Sequence, residues 1–177
     1  MNRFRIFTAL LILVSISAWA QMPTAPGPEV KKLDYFVGTW TSEGTVSQGP
    51  WGAGGKFSST DSSEWMDGNF FVVSHGDFRL PAEIGGAGKE LAVMGYDANQ
   101  NLYTYDSFNS EGMRSTSTGT LSGDTWTWNS SANYGGQETK QRMTIKVLSP
   151  TSYSIKFEIS MDATNWTTFM EGKATKK

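Results

Sequence analysis

A cadence constrains this chain more than any single motif. From Phe36 onward, short segments of alternating apolar and polar residues recur every 8–12 residues, each closed by a turn-forming cluster. The clusters include Asp67-Gly68, Asp97-Ala98-Asn99-Gln100, Ser122-Gly123-Asp124, Ser149-Pro150-Thr151 and Asp162-Ala163-Thr164-Asn165. Period-two alternation between Gly, Pro, Asn and Asp punctuation is a strand signal, and helical periodicity is almost absent. Ten candidate strands lie near 36–47, 56–66, 69–78, 90–96, 101–109, 113–121, 124–131, 138–148, 152–160 and 165–175. Connections this short make successive strands hairpin neighbours. Ten strands that close on themselves also remove the edges that a flat sheet would expose. The expected fold is therefore an all-β, ten-stranded antiparallel up-and-down barrel.

The alternation also predicts which side chains point inward. Gly38, Trp40, Ser42 and Gly44 share one face of the first strand. In the ninth, Tyr153, Ile155, Phe157 and Ile159 oppose Ser154, Lys156, Glu158 and Ser160. The eighth turns Thr139, Gln141, Met143, Ile145 and Val147 inward, the seventh Trp126 and Trp128, and the tenth Trp166, Thr168 and Met170. Strand five stays ambiguous, with Tyr103, Tyr105 and Ser107 opposing Leu102, Thr104, Asp106 and Phe108. In strand three, His75 shares a face with Phe71, Val73 and Asp77; it reads either as an inward-facing histidine with a carboxylate two residues away or as a surface or hydrogen-bonded structural histidine.

The first twenty residues read as a leader. Arg3 and Arg5 precede an apolar core, Ile6 to Ile16, too short to span a bilayer, and Ala18-Trp19-Ala20 supplies a small-x-small cleavage pattern. Cleavage after Ala20 would place the mature chain in the periplasm or outside the cell, with no membrane span left. Residues 21–32, rich in proline at their start, are expected to form a flexible linker, and 33–177 the barrel domain. The leader holds two of the fifteen Lys and Arg and none of the seventeen Asp and Glu, so its loss takes the formal charge from -2 to -4. No basic stripe marks a nucleic-acid partner. The chain has no cysteine, which excludes disulfides, thiolate metal sites, thiol nucleophiles and a lipidated cysteine anchor. One histidine excludes a histidine-rich zinc site.

Phe36-Val37-Gly38-Thr39-Trp40 resembles the first-strand Gly-x-Trp of the calycins: lipocalins, fatty-acid-binding proteins and nitrobindins. With Trp65-Met66-Asp67-Gly68-Asn69-Phe70, Gly95-Tyr96-Asp97, the Tyr103-to-Gly112 segment and Asp162-Ala163-Thr164-Asn165-Trp166, the pattern is similar to a bacterial, mostly exported family known as domain of unknown function 1579. The resemblance covers roughly residues 31–175 and implies a lipocalin-like barrel without implying an activity. Nitrobindin-like relatives hold haem through a late histidine. Nothing after His75 can play that part, so no cofactor carries over.

Aromatics make up 13% of the chain, so whatever the barrel encloses has ring walls and hydroxyls. A barrel of this size usually has room beyond its own side chains. The expected ligand is a small apolar or amphipathic molecule, walled by Trp40, Phe57, Trp65, Tyr105, Trp128, Met143 and Phe157, with Ser42 and His75 as polar contacts. Trp40 has a second reading as a plug at one barrel end. The glycine-rich segment Ser47 to Gly55, carrying Trp51, reads as a lid or as an ordinary loop. Two rival functions stay open: an isomerase or hydrolase using His75 as acid or base, and a solid-filled envelope structural or interaction protein. The scattered carboxylates, Asp61 among them, show no spacing of a paired-carboxylate hydrolase. No Gly-x-Ser-x-Gly elbow is present.

Overall fold

Strand pairing in the computed structural model, which describes residues 25–50, 52–134 and 136–177, closes into a single ring. The strands are β1 (Gly38–Val46), β2 (Gly55–Trp65), β3 (Val72–Arg79), β4 (Ala87–Asp97), β5 (Leu102–Asn109), β6 (Arg114–Ser122), β7 (Thr125–Tyr134), β8 (Gln137–Ser149), β9 (Ser152–Ser160) and β10 (Thr167–Lys176). Each pairs antiparallel with its sequence neighbours, and β1 closes on β10 from Trp40↔Lys176 to Val46↔Met170. The up-and-down barrel is thus the fold, and every strand has two partners. The expected leader and the residues up to Thr24 lie outside the described residues, as does Trp51 of the proposed lid.

The chain enters the barrel differently from the expected linker. Pro28–Lys31 form one α-helical turn, with Pro28 at a position that needs no N–H, and Lys32–Phe36 continue as a 3-10 turn. Val30, Leu33 and Phe36 are the buried face of this entry. The i, i+3 spacing of those three residues was the overlooked helical signal.

This short helix closes one end of the barrel. Leu33, Phe36, Trp40, Val72, Met94, Tyr103, Trp126, Trp128, Ile145, Tyr153 and Ala174 form one buried cluster there. Rings dominate it: Trp40 and Tyr153 centroids are 4.7 Å apart, Phe36 and Trp126 5.1 Å, and Tyr103 and Trp126 4.7 Å. Polar ends of the cluster find partners at the entry helix. Tyr35 OH donates to the Ser149 and Ser152 carbonyls, Trp40 Nε1 to the Phe36 carbonyl, Trp65 Nε1 to Asp34 Oδ1, and Tyr103 OH to Glu29 Oε2. Amphipathic rings are well suited to this, because each buries its body while its polar tip stays bonded.

Closure brings β1 and β10 together at a glycine pair, Gly44↔Gly172. The Phe57 ring packs against both: a Cβ on Gly44 would come within 2.5 Å of Phe57 Cε1, and one on Gly172 within 2.8 Å of Phe57 Cζ. Absence of a side chain at both positions lets a large ring rest on the inner wall instead of standing across the lumen.

Two face assignments need correction. On β3 the inward set is Val72, Ser74, Gly76 and Phe78, because these residues pair with inward Trp65, Ser63, Asp61 and Ser59 of β2. His75 therefore points outward and is exposed. The Asp67-Gly68 turn runs on through the left-handed Asn69, so the strand begins at Val72 instead of near residue 69. On β10 a bulge between Thr168 and Met170 resets the alternation, and Met170, Gly172 and Ala174 face inward. Trp166 precedes the strand and lies on the outer wall under Arg142, whose guanidinium carbon is 4.1 Å from the ring centroid.

Leu33 is fully buried, so truncating it leaves a cavity in the floor cluster. Leu33→Ala is expected to cost about 2–5 kcal/mol in urea unfolding. A loss below about 1 kcal/mol would show that the entry helix is not part of the cooperative core.

Candidate functional site

Above the aromatic floor the lumen wall changes character. Tyr105 and Ser107 of β5 point inward beside Met94 and Ala92 of β4, which settles the ambiguous strand. The middle of the wall carries Ser42, Ser59, Asp61, Ser63, Ser74, Glu90, Tyr105, Ser107, Ser117, Ser130 and Gln141 at inward register positions. Toward the open end it becomes apolar again, with Phe57, Phe78, Phe157, Ile159 and Met170.

The polar band is tightly bonded. Ser59 Oγ donates to Asp61 Oδ2 at 2.7 Å, Tyr105 OH to Glu90 Oε1 at 2.7 Å, Ser63 Oγ to Ser74 Oγ at 2.9 Å, and Ser130 Oγ to Gln141 Oε1 at 3.0 Å. Asp61, Gly76 and Glu90 sit in one row across β2, β3 and β4. A Cβ on Gly76 would meet Asp61 Oδ1 at 2.6 Å and Glu90 Cβ at 3.7 Å. Glycine at this position is what allows two carboxylates to flank one strand position.

The electrostatics follow from burial. Desolvation raises the Asp61 carboxyl above its usual range, the Ser59 hydrogen bond opposes this, and the negative charge of Asp77 adds to it. Burial likewise raises Glu90, against its Tyr105 hydrogen bond, and Asp61 raises it further. Tyr105 is pushed well above an ordinary phenol by burial and then by the Glu90 charge. Burial also raises Tyr153, which feels Asp61 next. Asp61, Glu90, Tyr105 and Tyr153 thus form one electrostatically connected group.

The lumen is reached by solvent. Ser59, Asp61, Glu90, Tyr105, Met143, Ile155 and Phe157 all face inward and all keep partial accessibility. In a closed wall, that surface is reached from the inside. A depression of about 650 Å³ has Ser42, Ser59, Phe78 and Gly88 in its lining, but it also includes outward Thr41, Thr60 and Asp77. It therefore straddles the wall and does not measure the lumen.

The residues expected to line a ligand site divide accordingly. Ser42, Phe57, Tyr105, Met143 and Phe157 are on the lumen wall above the floor. Trp40 and Trp128 belong to the packed floor, and Trp65 is tied to the entry helix by its bond to Asp34. His75 stands apart on the outer face. Missing from that expectation were Glu90 and the carboxylate partnership itself. Parity would have located Asp61, an even step from Phe57, but Glu90 needed the register of β3 against β4.

A closed barrel with a floor of rings and a polar, accessible lumen is the class of protein this fold defines. The chain belongs to the family described as protein of unknown function, DUF1579, whose model matches residues 25–176. Among solved structures it is similar to Rv2717c from M. tuberculosis, with TM-score 0.58 at 11% identity, covering 85% of this chain and 98% of that one. It is also similar to an S-type phycobiliprotein lyase, CPES, from Guillardia theta, with TM-score 0.54 at 10% identity, covering 83% of this chain and 91% of that one. At these identities the likeness is one of fold. No curated protein matches the sequence.

Raised carboxyl pKa values have a stability consequence of defined sign. Below the unfolded value, 4.5 for Glu90, both states are protonated and the burial penalty vanishes. As pH rises from there through the higher folded value, the unfolded chain ionises first and the folded state loses stability. Glu90→Gln is expected to raise Tm by about 2–4 °C near pH 7, the shift of ~1 kcal/mol in a domain of this size. It should leave Tm unchanged near pH 3, where wild type carries no charge there. Calorimetry at both pH values checks this; identical shifts at both would remove the ionisation cost from the account.

Proposed function

We propose that this protein is an exported, calycin-like barrel that binds a small, partly apolar molecule in its lumen. One observation carries the reading: although Ser42, Ser63, Ser74, Ser107 and Gln141 are buried, Ser59, Asp61, Glu90, Tyr105 and Met143 in the middle of the lumen keep partial accessibility. A filled barrel would have sealed them, as it has sealed Trp40, Trp126 and Val72 at the floor. Aromatic and methionine side chains toward the mouth supply apolar contact area, while Ser42, Ser59, Tyr105 and Ser107 supply orienting hydrogen bonds.

Export rests on the leader-like first twenty residues, and periplasmic or extracellular residence follows from it. Structural likeness to a phycobiliprotein lyase shows that barrels of this shape occur among proteins with an assigned activity, and it supports the reading at the level of fold. An isomerase or hydrolase working through His75 gains no support from the geometry. That side chain lies on the far side of a hydrogen-bonded wall from the lumen.

Native mass spectrometry of the protein purified from its host envelope, without organic extraction, tests both parts. The expected result is a chain beginning at Gln21 and carrying a reproducible extra mass that denaturation releases. A chain retaining Met1 would overturn export by cleavage. An apo mass, together with no uptake of any amphipathic probe, would overturn lumen binding.

A further inference from the structure

We infer that the ligand is an amphipathic organic cation, a substituted ammonium whose charged head sits between Asp61 and Glu90. This deepens the lumen-binding reading and rests on it. The starting point is the charge composition of the inner wall, taken strand by strand. Among the described residues, the acidic side chains at inward positions are Asp61 and Glu90. Lys56, Arg79, Lys89, Arg114, Lys140, Arg142, Lys146, Lys156 and Lys173 all lie at outward positions. Lys176 faces inward only at the floor, where its Nζ is 5.4 Å from the Trp40 ring centroid. Two carboxylates thus share the lumen with no cationic side chain beside them among the described residues.

Hydroxyls compensate part of this charge, Ser59 on Asp61 and both Tyr105 and Ser107 on Glu90. Each is a neutral donor, so none cancels a charge. A cation entering the lumen would be attracted by both carboxylates in a medium less screening than water. No group of three or more metal-ligating side chains is present among the described residues, so the wall does not present the ligand set of a metal site.

A second feature narrows the cation to an organic one. The carboxylates are bordered by rings: Tyr105 bonds Glu90 directly, Tyr153 feels Asp61, and Trp128 lies edge-on to Tyr105 at 5.7 Å. Carboxylates beside aromatic faces suit an ammonium with carbon substituents, which gains from both charge and ring. Toward the mouth, Phe57, Phe157 and Met170 offer the apolar wall along which a hydrocarbon tail would lie. Phe57 packs against Gly44 and Gly172 on the inner wall.

Three probes of equal chain length separate the inference from the reading beneath it: decylammonium, decan-1-ol and decanoate, titrated into the full mature protein and followed by tryptophan fluorescence and calorimetry. Decylammonium is expected to bind at least about tenfold more tightly than decan-1-ol, a difference of ~1.4 kcal/mol. Decanoate should bind most weakly. In Asp61→Asn/Glu90→Gln the ammonium-to-alcohol ratio is expected to fall to about one, because the charge attraction that separates the two probes is removed. The wild-type ratio stands as a test even if the double variant does not fold. Equal binding of ammonium and alcohol, or tighter binding of decanoate, would overturn the inference and leave lumen binding standing. Failure of all three to bind would overturn both.

Discussion

Closure of β1 onto β10 is the constraint on which everything else depends. Without that seam the chain would be a meander with two exposed edges, and inside and outside would have no meaning. The seam needs close approach of two backbones beneath a ring, and it is made at paired glycines, Gly44 and Gly172, with Phe57 laid over them. Once the ring is closed, alternation along each strand sorts side chains into a shared interior and a solvated exterior. The outer face is mostly Thr, Ser and charged residues, with Phe71, Leu91 and Phe108 exposed on it.

The interior is divided along its axis, and the division reflects two demands. At one end, Leu33 and Phe36 of the entry helix meet Trp40, Trp126 and Tyr153, and the burial of large rings supplies the core that a cysteine-free chain requires. Farther up, the strands place hydroxyls and two carboxylates where more rings would have increased stability. Retaining ionisable groups there runs against the burial penalty that raises their pKa values. Such a departure from the best-packed interior is the kind of feature that marks a site.

Legibility of this arrangement in the sequence varied from strand to strand for physical reasons. β7, β8 and β9 were read correctly because large apolar residues alternate with Thr, Lys and Ser on strands that meet water on one side. β5 could not be resolved, since Tyr103 and Tyr105 on one face and Leu102 and Phe108 on the other are equally bulky. β3 was misread because Phe71 and Val73 look like core residues, yet they lie on the outer wall, where Phe71 packs on Gly95. A bulge at Thr168–Met170 inverted the parity of β10 before its middle was reached. The entry helix was missed because nine residues give too few turns for periodicity to stand out.

By itself, the sequence determined the architecture: turn chemistry and period-two alternation are local properties, and ten short hairpin-linked strands have few ways to bury their inner faces. It also excluded thiol and polyhistidine chemistry outright by composition. Only the tertiary structure decided which residues share the lumen. Asp61 and Glu90 are 29 positions apart in a chain with many carboxylates, and nothing local links them. Their meeting depends on the register of β2 against β3 and of β3 against β4, with Gly76 between. Register is set by the packing of all the strands together, and a one-residue slip would have turned the pair out to solvent.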